Sequence, residues 1–142
     1  MKKIFSCCLL WLVVTAAGAQ GKIVVQITNL VNNKGVCKTC LFNNAASFAG
    51  KGSALKCIDV SVKNKTASVA FNDVAQGTYA IAVFHDENKN NKMDTNFLGI
   101  PKEGYGASKN KLPFASAPTF ADNKFDVGAN STINIEIRLR NL

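Results

Sequence analysis

The stretch GTYAIAVFHDENKNNKMDTNFLGIPKEGYGAS, residues 77–108, decides how the rest of the chain is read. In its first part Tyr79, Ile81 and Val83 alternate with Ala80, Ala82 and Phe84. A period of two, apolar or small on both sides, marks a β-strand buried on both faces. The strand delivers His85 and Asp86 to its end. A polar run follows, with Asp86, Asn88, Asn90, Lys92 and Asp94 at every second position, and then a Gly/Pro-rich return.

Outward from this centre the chain keeps reading as strands. Residues 22–30 (KIVVQITNL) are Val/Ile-rich and lead to the polar turn Asn32-Asn33-Lys34-Gly35; residues 36–42 follow. Residues 43–53 are small and polar, with Gly50 and Gly52, and predict a long loop or a weak helical turn. Residues 57–62 and 66–71 form a strand pair around Lys63-Asn64-Lys65. Residues 132–139 (TINIEIRL) alternate polar and apolar, which a helix would scatter around its circumference. Short strands with turns between them and no long helical period predict an all-β fold. The expectation is an antiparallel sandwich of two sheets, about seven strands, in a single domain over residues 20–142.

Residues 1–19 have the layout of a secretory signal peptide. Lys2 and Lys3 precede an apolar core over 9–14, and Ala17-Gly18-Ala19 supplies a small-residue cleavage site before Gln20. That core is too short to span a bilayer as a helix. The protein is therefore expected to be exported, periplasmic or secreted, with no transmembrane segment in the mature chain. Cys7 and Cys8 lack the small-residue box of a lipoprotein site.

Lys2 and Lys3 are two of 17 Lys and Arg residues, so the chain from Gln20 remains basic against its 9 acidic residues. The lysines are spread out and do not interleave with aromatics, as a groove for single-stranded nucleic acid requires. No nucleic-acid partner is assigned.

Cys37, Cys40 and Cys57 remain after Gln20. In an oxidising compartment one disulfide is expected. Cys37 and Cys40 form a CxxC, but their surroundings read as a strand, where positions i and i+3 face opposite sides about 10 Å apart. They cannot join each other at that distance. The expected bridge is Cys57 with Cys37 or Cys40, leaving one thiol free.

The polar loop invites comparison with a calcium loop. Asp86, Asn88 and Asn90 fill positions 1, 3 and 5. Asn91 stands at position 6, where a left-handed residue is needed, and tolerates that conformation better than most. Lys92 offers only its backbone carbonyl, and Asp94 fills position 9. Position 12 is Phe97 in place of the bidentate Glu, so this is no EF-hand; Glu103 is the carboxylate near enough in sequence to substitute. The candidate metal set is Asp86, Asn88, Asn90, Lys92, Asp94 and Glu103, a calcium site of about millimolar affinity. The competing reading is a loop whose Asp and Asn side chains bond their own backbone.

His85 is the only histidine. Its neighbour Asp86 points to the opposite face of the strand and cannot readily orient it as a general base. Ser108 and Ser116 sit in no nucleophile elbow. The expected role of His85 is structural, its ring bonding the loop or its return. No catalytic residue is assigned.

Gly77-x-Tyr79-Ala80-Ile81-x-Val83-x-His85-Asp86-x-Asn88-x-Asn90, Asp94, and Gly99-Ile100-Pro101-x-Glu103-Gly104-Tyr105-Gly106-x-Ser108 together resemble an exported bacterial family, domain of unknown function 2141. Pro118-x-Phe120-x-Asp122-x-x-Phe125 and the last strand fit the same resemblance, which spans nearly the whole mature chain. It implies a signal peptide and a transthyretin-like or immunoglobulin-like β-sandwich, with no established activity. The chain departs from the family pattern at Asn91, where Gly is expected, and in its CxxC.

The function expected from these residues is an exported, non-catalytic binding or interaction module with an unidentified envelope or extracellular partner. Its contact surface is the polar loop at the sandwich end. The alternatives are a structural envelope protein without a diffusible ligand, a small hydrolase around His85, or a thiol oxidoreductase around Cys37 and Cys40. Calcium is the one cofactor candidate.

Overall fold

The computed structural model describes residues 18–142. The signal-peptide expectation for residues 1–19 thus lies, apart from its last two positions, outside the described residues. The elements are β1 (Gly21–Thr28), β2 (Val36–Phe42), α1 (Ala45–Phe48), β3 (Lys56–Ser61), β4 (Ala67–Val74), β5 (Gly77–Asp86), β6 (Tyr105–Ala107), α2 (Phe120–Asn123), β7 (Phe125–Val127) and β8 (Thr132–Arg138).

The strands form two sheets. One is three-stranded in the order β4-β1-β8; the other runs β3-β2-β5-β6, with β7 pairing the start of β5. The all-β sandwich is as expected, with eight strands where about seven were read. β6 and β7 are three residues each, too short for a period of two to show. One pairing departs from the antiparallel expectation: β1 and β8 run parallel, Ile23 beside Ile133 through Thr28 beside Arg138. A parallel pair needs a long crossover, and here nearly the whole chain supplies it.

Alternate residues of both sheets meet in one core. Ile23, Val25 and Ile27 of β1, Phe71 of β4 and Ile137 of β8 face Leu41 of β2 and Tyr79, Ile81 and Val83 of β5. Each such side chain contributes about 1.5–3 kcal/mol on burial. The outer face of β5 is covered more lightly than its sequence implies. Ala80 is fully buried there, but Ala82 and Phe84 are half-buried. At that end Phe42, which pairs with Ala80, packs edge-on against Phe48 of α1, and Phe48 against Phe120 of α2.

The sheets join along one side. After β8 the chain continues to Arg140, whose N–H donates to the Tyr105 carbonyl (2.8 Å), while the Tyr105 N–H donates to Arg140 (3.0 Å). Gly106 allows this approach, because a Cβ there would press on Ile137 and Leu139. Of the two cysteine pairings left open, the structure forms Cys40–Cys57. The pair lies in register across β2 and β3 on the outer face, whereas Cys37 points into the core as a free thiol. Closing a loop of 17 residues stabilises the fold by about 3 kcal/mol.

Candidate functional site

The polar loop leaves β5 at Asp86 and returns to β6 at Tyr105. Asp86 is fully buried and closes the first turn: its Oδ1 accepts the Asn90 N–H (3.1 Å) and its Oδ2 the Asn91 N–H (2.8 Å). Asn88 Oδ1 accepts the Asn90 N–H and Asn90 Oδ1 the Lys92 N–H, two consecutive Asx turns. The amides of Asn88 and Asn90 both donate to Asp94, at 2.6 and 2.8 Å. Asn91 takes φ 63° and Lys89 φ 58°. The Asn that stands for Gly therefore performs the left-handed turn, and a second left-handed residue, a lysine, accompanies it.

Glu103 clamps the loop. Its Oε1 accepts the Glu87 N–H and its Oε2 the Asp94 N–H, both at 3.0 Å. Every position of the candidate metal set except Lys92 thus contributes a side chain to one network; Lys92 contributes its backbone N–H. Their oxygens are engaged by N–H donors. Among the described residues no three His, Cys, Asp or Glu side chains form a group able to hold a metal ion.

His85 lies on the inner face of β5, fully buried, paired in register with Cys37. Its Nε2 sits 2.7 Å from the carbonyl of Lys34, which can only accept, so the ring is assigned as the Nε2–H tautomer. This corrects the expected partner: the ring bonds the β1–β2 turn, neither the polar loop nor its return. Register is the reason, because pairing with Cys37 sets His85 beside the start of β2. Among the described residues Nδ1 has no partner, and neither does the buried Thr39 hydroxyl two residues along β2. Ser108 is engaged too, accepting the Ile81 N–H and donating to the Asn123 carbonyl. Burial pushes the Cys37 thiol up to about 12, away from the thiolate that redox chemistry needs.

The sequence reading missed what lies beyond Asp94. Residues 95–101 form a tight projecting turn in which Phe97 is 96 % and Leu98 69 % exposed. A second loop carries Phe114, also 96 % exposed. The two loops and the C-terminal Leu142 border one groove of about 420 Å³, lined by Met93, Leu98, Ile100, Tyr105 and Phe114 among others. The apolar pair Phe97-Leu98 inside a polar segment was the available signal.

A family model described as "Uncharacterized protein conserved in bacteria (DUF2141)" matches residues 25–135. The chain belongs to the DUF2141 family. The match runs from β1 to β8 and includes the polar loop, the Glu103 clamp and the Phe114 loop. No curated protein and no solved structure matches this DUF2141 chain.

Proposed function

We propose that this chain is an exported, non-catalytic binding module that meets an envelope or extracellular partner through the sandwich end built by residues 87–104 and 111–118. One observation carries the reading: two anchored loops present an apolar groove and two fully exposed phenylalanines at the end of an otherwise ordinary core. Contiguous apolar surface of this kind marks interaction sites. The Cys40–Cys57 bond fits an oxidising compartment, and no helix among the described residues is long and apolar enough to cross a membrane. The non-catalytic half draws on His85 and Ser108, which are buried and away from solvent. The test is binding of labelled protein to its own envelope fraction. Saturable binding that falls in Phe97→Asn/Phe114→Asn supports the reading; binding that ignores the double substitution refutes it.

A second reading gives the polar loop calcium. In its favour, buried Asp86 and Glu103 have no cationic partner among the described residues, whose ion pair, Lys38–Asp59, joins β2 to β3. Against it, the loop is already closed by its own N–H donors. Calcium would draw on the remaining lone pairs of Asp86, Asp94 and Glu103, with the Lys92 carbonyl and Asn oxygens completing the set.

A further inference from the structure

We propose that the partner surface is an anionic lipid bilayer, with Phe97-Leu98 and Phe114 as inserting tips and the lysines of the same stretch of chain on the headgroup phosphates. This rests on the reading of the sandwich end as a binding surface.

The first observation is backbone satisfaction at the tip. Asn96 Oδ1 accepts the N–H groups of Leu98 (2.9 Å) and Ile100 (3.0 Å). The Asn96 N–H donates to Ile100 and the Gly99 N–H to Asn96. Gly99 takes φ 75° to close the turn, and Pro101 has no N–H to satisfy. The tip therefore enters an apolar medium with most of its backbone donors already paired. Water or a polar protein partner makes no such demand; hydrocarbon does, because an unpaired N–H there is costly.

The second observation is anchoring. The Phe114 loop is held from behind by Arg140, whose guanidinium donates to the carbonyls of Leu112 (2.6 Å) and Pro113 (2.8 Å). The Phe97 turn is held by the Lys102 N–H donating to Asp94 and by the Thr95–Pro101 bridge. Both phenylalanines thus project from fixed bases, with no loop ordering required on contact.

The third observation is charge. Between residues 88 and 118 every exposed charged residue is a lysine: Lys89, Lys92, Lys102, Lys109 and Lys111. The acids in that span are withdrawn, Glu103 buried in its clamp and Asp94 half-buried between two amides. Loops that carry exposed aromatic tips, and whose own exposed charges are all lysines, complement an anionic membrane, where apolar insertion and phosphate attraction add.

The experiment is flotation of the protein, as its exporting cell processes it, with phosphatidylglycerol-rich and with pure phosphatidylcholine vesicles. The expected result is binding to the anionic vesicles, weakened by salt. Phe97→Asn/Phe114→Asn should lower that affinity by at least about tenfold. Lys102→Gln/Lys111→Gln should lower it and flatten the salt dependence. All four sites are exposed, so an unchanged melting temperature shows that the variants fold. Absence of vesicle binding, or binding that ignores both pairs of substitutions, overturns the proposal. Envelope binding that disappears after protease treatment, without vesicle binding, would overturn the lipid partner and leave the binding surface standing. No saturable binding to either would defeat both.

Discussion

The carboxylate of Glu103 accepts the backbone N–H of Glu87, 16 residues earlier, and so ties the return of the polar loop to its departure from β5. The other oxygen holds Asp94, and one side chain thereby fixes both ends of the turn from which the apolar tip projects.

Glu103→Gln keeps the shape but turns an amide NH₂ toward one of the two N–H groups. A buried donor is left facing a donor, at a cost of about 1–3 kcal/mol. Urea unfolding should show that loss, and hydrogen exchange should show faster amides at Glu87 or Asp94. Wild-type stability and protection in the variant would mean the clamp is incidental.

Gly35 is the position where the β1–β2 turn touches the site. It takes φ 64°, and a Cβ there would collide with the Asp86 carbonyl and lie 2.6 Å from the Glu87 Cα. Gly35→Ala should cost at least about 1–3 kcal/mol from the left-handed backbone alone, with displacement of the polar loop in addition. Gly50→Ala, also left-handed but with open space around it, should cost only the backbone part. Equal melting temperatures for the two variants would contradict this packing.

Much of this was legible in the sequence. Strong alternation announced β5 and β8, a β-branched run announced β1, and β2 was read as the strand that follows the Asn32–Gly35 turn. The opposite-face argument excluded a Cys37–Cys40 bond, but choosing Cys40 over Cys37 for Cys57 needed the register, since either could face outward until the core side was known. Local signals could not give the parallel β1–β8 pair, whose partners lie at opposite ends of the chain. Nor could they give the Lys34 partner of His85, which depends on the same register. Asn91 was rightly allowed its left-handed turn; Lys89 carried no hint of one. Phe97 entered only as a non-ligand at position 12 of the loop, and nothing in the sequence around Phe114 told whether the fold would cover it.

Cys37 gives a pH prediction with a definite sign. Burial raises its thiol from 9.0 to about 12. Its folded-state pKa lies above the unfolded one, so this contribution to stability is intact below about pH 9. It is then lost as pH rises through about 12. Between about pH 9 and 11 the wild type should lose up to about 1.4 kcal/mol per pH unit more than Cys37→Val, by denaturant unfolding. In the native state the thiol should react with a disulfide reagent only as fast as the protein opens. Rapid native labelling would place Cys37 at the surface and reopen thiol chemistry.

Calcium has its own test. With a dissociation constant of about 1 mM, roughly 10 mM calcium stabilises the fold by about 1.4 kcal/mol. That corresponds to a melting-temperature rise of roughly 4–8 °C. Asp94→Ala should abolish the response with a small effect in its absence, whereas Asp86→Ala should also destabilise the calcium-free protein through its two lost N–H bonds. A wild-type melting temperature that ignores calcium leaves the loop as a backbone device.

The binding surface itself is tested most directly by side-chain oxidation footprinting of the protein in its own envelope suspension and in buffer. Leu55, 55 % exposed at the opposite end of the sandwich, serves as the internal reference. Phe97 and Phe114 should be protected in the envelope suspension while Leu55 oxidises equally in both. Equal oxidation of Phe97 and Phe114 in the two conditions would contradict the assignment of this end as the contact surface.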